Sequence, residues 1–126
     1  MSKIVLSTEN APVAIGPYSQ GIQVGGFVFT SGQLPIDPAT GTMPEGIEAQ
    51  ARQSLLNVAA VLKCAGSSMD KAVKLTVFLT DMNDFAAVNG VYESFFQSDC
   101  PARSAVQVAR LPKDARIEIE AIGYTE

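Results

Sequence analysis

The sequence has 126 residues, 47% of them apolar and 17% charged, which is typical of one globular domain with a hydrophobic core. Nine basic and thirteen acidic residues give a net charge of −4, which argues against nucleic acid as a partner. The sequence contains no histidine, and this excludes a Ser/His/Asp triad, a Cys/His dyad and a histidine-bound metal. We therefore expect a single domain over residues 1–126 that relies on carboxylates, arginine, hydroxyls, thiols, backbone groups and water.

Neither a membrane span nor an export signal is indicated. No apolar run approaches the roughly 20 residues that a membrane-spanning helix requires. The N-terminal segment MSKIVLSTENAP lacks the long apolar core of a secretory signal. Cys64 and Cys100 are far apart in the sequence, which indicates two free thiols and neither a zinc site nor a redox pair. We expect a soluble cytoplasmic protein without a membrane partner.

The first predicted elements are two short strands, residues 20–24 and 27–31. Gly25 and Gly26 separate them and supply the positive φ angles of a two-residue hairpin turn. The following segment, LPIDPATGTMPEG, predicts an extended loop with a tight turn. Apolar residues then recur at helical spacing over residues 47–65, which predicts a first helix that Gly66 caps at its C-terminus.

The second half of the chain predicts a strand, a helix and a hairpin. Residues 72–79 are rich in valine and threonine, as strands are. Residues 84–97 predict a helix with an aromatic stripe that we assign to the core, capped by Asn83 or Asp81. Residues 104–110 and 115–124 predict an antiparallel hairpin around the loop LPKD. This order predicts an α+β fold in which two helices cover one face of a mixed sheet.

The predicted C-terminal hairpin places Arg103 on the same face as Glu118 and Glu120, because strand side chains alternate between faces. Ala105 and Ile122 share that face, so we expect it to be buried. Since two helices cover only the other face, we expect a second subunit to cover this one, which predicts a homo-oligomer. The alternatives are a solvated polar face and a structural ion pair between Arg103 and Glu120.

Five segments of the chain resemble one known family, the RidA or YjgF family of reactive intermediate deaminases. They are GPYSQG (16–21), TSGQLP (30–35), QARQSLLNV in the first helix, KLTVFLTDMNDFAAVN (74–89) and PARSAVQVARLPKDARIEIEAI (101–122). The resemblance implies a chorismate-mutase-like fold assembled as a homotrimer, with three ligand clefts between subunits. It also implies hydrolysis of 2-imino acids such as 2-iminobutanoate and 2-iminopropanoate to 2-oxo acids and ammonia, without a cofactor or metal.

The same resemblance implies roles for six residues. Arg103 would bind the substrate carboxylate in a bidentate manner, and Glu118 would position and activate the attacking water. A protonated imine is already a strong electrophile, so orientation and a placed water are sufficient for its hydrolysis. The remaining substrate-binding positions are Tyr18 in the cleft lining, Ser31 and the Gly32 backbone at the imine end, and Asn89 nearby.

Several points stay open. Either Glu118 or Glu120 transfers the protons of the attacking water. Either Thr30 or Ser31 points into the cleft. Many relatives carry cysteine where this chain has Ala105, which argues against a covalent or redox role there. The segment 97–101 is shorter than in some relatives, which affects the substrate size that the cleft accepts. The sequence does not determine which imine is preferred. Two other functions remain: a binding module for a small carboxylate metabolite and, disfavoured by the acidic charge and missing histidine, a ribonuclease.

Overall fold

A computed structural model describes residues 1–126. It contains one sheet of six strands in the order β1-β2-β3-β6-β4-β5 and two α-helices. The elements are β1 (Ile4–Leu6), β2 (Gly21–Val24), β3 (Phe27–Thr30), α1 (Ile47–Cys64), β4 (Ala72–Leu79), α2 (Phe85–Glu93), β5 (Ala102–Gln107) and β6 (Ile117–Tyr124). Only β4 and β5 pair in parallel. The predicted α+β class and mixed sheet are confirmed.

The first hairpin and the first helix form where local signals predict them. Gly25 and Gly26 have φ angles of 56° and 84° between β2 and β3, as the predicted two-residue turn requires. Helix α1 ends in a Schellman motif, in which the Ser67 N–H donates to the Leu62 carbonyl at 3.0 Å. Gly66 at that end has a φ of 82°, a conformation that glycine adopts without strain.

Both helices pack on one face of the sheet, as predicted. Leu55 and Val58 of α1 and Val88 of α2 are at most 1% exposed and belong to one apolar cluster with the sheet. The opposite face has no such cover: Phe27 and Phe29 of β3 are 50% and 41% exposed. No helix of the protein has both the length and the hydrophobicity needed to span a membrane.

The predicted C-terminal hairpin is wrong. Strand β5 pairs in parallel with β4, whereas β6 lies between β3 and β4 and pairs antiparallel with both. Helix α2 is the crossover connection that the parallel neighbours β4 and β5 need. The loop LPKD forms a short turn in which Lys113 and Asp114 have φ angles of 58° and 55°, and it leads the chain to β6 two strands away.

Helix α2 is shorter than predicted, because it ends at Glu93 and not at residue 97. Phe95 and Phe96 continue it only as a turn, with N–H groups that donate to the carbonyls three residues earlier. The buried Phe96 ring packs 4.8 Å from the Tyr92 ring, between centroids, and the chain then turns towards β5. Asp81 accepts the Asn83 N–H at 2.9 Å and so caps the 3-10 turn that precedes α2, not α2 itself.

Candidate functional site

Arg103 lies on the face of the sheet that the helices cover. Its partner in the β4–β5 register is Leu75, which is fully buried beneath the helices. Three residues of α2 surround its guanidinium group: Nη1 donates to Asn89 Oδ1 at 2.7 Å. The guanidinium carbon lies 5.2 Å from the centroid of the Phe85 ring and 4.8 Å from that of Tyr92. Positions 85, 89 and 92 share one face of a helix, so α2 holds this arginine along a single stripe.

The surroundings of Arg103 leave its charge uncompensated. The two ion pairs of the chain join Arg110 to Asp114 and Arg116 to Asp84, and neither includes Arg103. The ring faces favour a cation, and the bond to Asn89 uses only one of the five guanidinium donors. Arg103 is therefore held in position with donors free to form a bidentate contact with a carboxylate.

A second group of predicted site residues lies in a cleft of about 890 Å³ on another part of the surface. Tyr18, Ser31, Gly32 and Glu118 all line it. The loop that carries Ser31 and Gly32 is tied to β6 beside Glu118 by two backbone hydrogen bonds. The Gln33 N–H donates to the Ile119 carbonyl at 2.7 Å, and the Ile119 N–H donates to the Gln33 carbonyl at 3.2 Å. The cleft thus brings together the carboxylate of Glu118, the hydroxyl of Ser31, the phenol of Tyr18 and the backbone of Gly32, which has no side chain.

Ser31 and Thr30 point in different directions. The Thr30 side chain is buried, and its Oγ1 accepts the Ala121 N–H at 3.0 Å. Ser31 lines the cleft, and its hydroxyl donates to the Ser19 carbonyl. The alternation of side chains along the end of β3 therefore gives the cleft position to Ser31.

Burial raises the pKa of the Glu118 carboxyl above its ordinary value of 4.5, and the nearby Glu120 carboxylate raises it further. Glu118 is partly buried in the cleft, whereas Glu120 is exposed and does not line it. A carboxylate whose pKa lies nearer to neutral pH is a better proton acceptor. These properties distinguish Glu118 from Glu120 as the group able to activate a water in the cleft.

The predicted common surface of Arg103 and the two glutamates does not exist within one chain. Ile117 and Ile119 of β6 are buried beneath the helices, so Glu118 and Glu120 point to the opposite face of the sheet. The alternative of an ion pair between Arg103 and Glu120 within one chain is wrong for the same reason. One group in the chain contains Arg103 and Asn89. The other group contains Glu118 together with Tyr18, Ser31 and Gly32. The sheet separates the two groups.

Three residues that the sequence patterns do not assign to a site also belong to these two groups. Phe85 and Tyr92 belong to the stripe assigned to the core, although both also contact Arg103. Both lie three or four residues from Asn89 in the sequence, and this spacing predicts that they share its face of the helix. Lys113 lines the Glu118 cleft from its left-handed turn. No three side chains of the metal-binding types Asp, Glu and Cys come together anywhere in the chain.

Comparison with known proteins gives consistent matches along the whole chain. The model of the family described as endoribonuclease L-PSP matches residues 8–125. The 2-iminobutanoate/2-iminopropanoate deaminase of Salmonella typhimurium is 58% identical over 125 residues, 97% of each chain. The crystal structure of E. coli TdcF with bound serine superposes with a TM-score of 0.95 at 52% identity, over 98% of this chain and 99% of that chain. The E. coli YjgF gene product gives a TM-score of 0.95 at 54% identity, with the same coverage. This chain therefore belongs to the endoribonuclease L-PSP family, the RidA/YjgF family that its motifs indicate.

Proposed function

We propose that this protein hydrolyses small 2-imino acids to 2-oxo acids and ammonia. The main support is the environment of Arg103. Helix α2 holds its guanidinium group in position, and no carboxylate of the chain pairs with it. Relatives from Salmonella typhimurium and E. coli that are 58% and 57% identical over 97% of this chain are named 2-iminobutanoate/2-iminopropanoate deaminases. A 2-imino acid carries the carboxylate that this arginine lacks.

The chemistry follows from the two groups of residues. Arg103 binds the substrate carboxylate through two N–H donors, which fixes the position of the adjacent C=N carbon. Glu118 accepts a proton from a water as its oxygen adds to that carbon, and a tetrahedral carbinolamine forms. Glu118 passes this proton to the nitrogen and takes the proton of the carbinolamine hydroxyl as the C–N bond breaks and the C=O bond forms. Ammonia leaves with the electron pair of the C–N bond and accepts the last proton from Glu118, so that a 2-oxo acid remains. Water is the only co-reactant, and no electrons are exchanged.

The complete active site forms between two subunits of a homotrimer. Arg103 and Glu118 lie on opposite faces of one sheet, so a single chain cannot apply both to one small substrate. The uncovered face supports a subunit contact there, since Phe27, Phe29 and Val106 are 41–50% exposed on it. In this arrangement Arg103 and Asn89 of one subunit meet Glu118 and its neighbours of the next.

The bound serine in the structure of E. coli TdcF supports a second candidate, a module that binds a small carboxylate metabolite without turnover. Serine shares with 2-imino acids a carboxylate next to a carbon that bears nitrogen. The family description also includes RNA cleavage. A chain with a net charge of −4 and no histidine offers little to an RNA backbone, so RNA cleavage ranks below both.

A coupled assay tests the proposal. An amino-acid oxidase generates the imine, and the appearance of the 2-oxo acid is timed with the wild type, Arg103→Ala and Arg110→Ala. Truncation of a charge that binds the substrate carboxylate costs about 2–5 kcal/mol, so we expect kcat/KM of Arg103→Ala to fall by about 30-fold to several thousand-fold. Arg110→Ala is the matched control, because its ion pair with Asp114 is 79% exposed on both sides.

Three outcomes oppose the proposal in different ways. Full activity in Arg103→Ala removes the role of this arginine. No acceleration by the wild type, together with thermal stabilisation by serine or a 2-oxo acid, favours the binding module. Degradation of RNA during prolonged incubation favours the third candidate.

A further inference from the structure

Gly32 and Glu118 are in close contact in the cleft. A Cβ atom added to Gly32 would lie 2.7 Å from Glu118 Cδ, 3.0 Å from its Cγ and 3.0 Å from its Oε1. Carbon atoms that are not bonded attract each other at about 3.5–4.0 Å and repel strongly at shorter distances. The present position of the Glu118 carboxylate therefore requires that residue 32 have no side chain.

Backbone conformation does not explain glycine at this position. The glycines with positive φ angles are six others, and Gly32 is not among them. Any L-residue could adopt its φ angle, so only the space that Glu118 occupies excludes a larger residue.

The backbone around Gly32 cannot retreat from Glu118 without losing hydrogen bonds. On one side, the Ser31 N–H donates to the Gln20 carbonyl at 2.8 Å. On the other side, Gln33 exchanges two backbone hydrogen bonds with Ile119, the residue next to Glu118. A side chain at position 32 would therefore move the flexible glutamate and not the loop.

We infer that Gly32 is a positioning residue for Glu118, and that its missing side chain holds the carboxylate against the loop inside the cleft. The inference rests on the proposed function for its catalytic consequence, but the contact itself does not depend on that function. A methyl group at position 32 turns the carboxylate out of the cleft, away from the water that it activates.

The activity test compares Gly32→Ala with Gly90→Ala. Gly90 lies exposed in α2, and a Cβ atom added there meets nothing within 4 Å. A displacement of about 1 Å in a catalytic group lowers the rate by about 100-fold, and we expect a loss of this order in kcat for Gly32→Ala. KM should change little, because Arg103 binds the substrate carboxylate and the hydrogen bonds of Ser31 and Gln33 keep the backbone of residue 32 in place. Wild-type kcat in Gly32→Ala, or an equal loss in Gly90→Ala, would overturn the inference.

An NMR titration of the Glu118 carboxyl carbon tests the same inference without turnover. The carboxylate gains water contact when it leaves the cleft, so we expect the pKa of Glu118 in Gly32→Ala to fall towards its ordinary value. An unchanged titration overturns the inference. If the wild type releases no ammonia from any imine, the proposed function fails, and this titration still decides the role of Gly32.

A double-mutant cycle covers the case in which Gly32→Ala folds poorly. Glu118→Ala removes the three atoms that the new methyl group would meet. We therefore expect Gly32→Ala to lower the melting temperature of the wild type but not that of Glu118→Ala. Equal losses in the two backgrounds would show that the clash lies elsewhere, and would overturn the inference.

Discussion

The neighbours of Arg103 in α2 fix its guanidinium group and leave its charge without an anionic partner. The aromatic rings of Phe85 and Tyr92 accept a cation, and Asn89 orients one side of the guanidinium group. None of these partners is an anion, so the charge stays available. Burial raises the pKa of the Tyr92 phenol, against the opposing effect of Arg103, so this ring remains a neutral contact at neutral pH.

The proposed role of Glu118 predicts a pH dependence of the activity. In that mechanism its deprotonated form accepts the proton, so we expect kcat/KM to fall as the pH decreases through the raised pKa of this carboxyl. The Glu120 carboxylate contributes to that raised pKa, and Glu120→Gln removes its charge. We therefore expect the acidic limb of the pH–rate profile of Glu120→Gln to shift to lower pH, with the plateau unchanged. An acidic limb that stays in place would contradict this assignment, and a lost plateau would assign the proton work to Glu120.

Helix α1 shapes the wall of the cleft through buried polar side chains. Asn57 is 1% exposed, and its Nδ2 donates to the carbonyls of Leu34 at 3.0 Å and Ile36 at 2.9 Å. Both carbonyls belong to the loop between β3 and α1, and both residues line the cleft. The helix therefore supplies hydrogen bonds to a loop segment that has few partners in the sheet.

We expect Asn57→Ala to lower the free energy of unfolding by about 2–3 kcal/mol, because it leaves two loop carbonyls without their partner. Urea denaturation followed by circular dichroism measures this loss. Ser54→Ala in the same helix is the matched control: Ser54 is also buried, but its hydroxyl has no hydrogen-bond partner. Its removal should leave stability unchanged or slightly higher. Equal losses in the two variants would show that the Asn57 hydrogen bonds contribute little.

A single chain leaves two of its features without an explanation. Its open sheet face exposes large apolar side chains, and its two groups of site residues point away from each other. The proposed contact between subunits would account for both features, because it would cover apolar surface and could place Arg103 opposite Glu118. A chain that remains monomeric at micromolar concentration in a light-scattering measurement would contradict the proposed trimer.

Subunit mixing tests the shared site directly. Arg103→Ala and Glu118→Gln are each expected to lose most of their activity, yet each retains the residue that the other lacks. When the two are unfolded together and refolded in equal amounts, about a quarter of the clefts in random trimers combine the wild-type arginine with the wild-type glutamate. We expect activity to recover to about that fraction of wild type. No recovery, from trimers shown to be mixed by mass spectrometry, would contradict a site that two subunits share.

Local signals predicted the elements that depend on nearby residues. Gly25 and Gly26 form their turn, Gly66 ends α1 within one residue of the predicted position, and β4 has the predicted bounds. The end of α2 was wrong, because the packing of Phe96 and the path into β5 outweigh the helical spacing of the apolar residues. The motifs identified the family, which the matches along the chain confirm.

Strand alternation fixed which residues of β6 share a side, so Glu118 and Glu120 point the same way in both the prediction and the structure. It did not fix which strands are neighbours. The short LPKD loop favoured a hairpin, but β5 pairs with β4 through the α2 crossover, and this turns Arg103 towards the helices. Alternation is a property of one strand, whereas pairing depends on burying apolar surface between segments far apart in the chain. The residue types and the family were therefore readable from the sequence, and the separation of Arg103 from Glu118 was set by long-range packing.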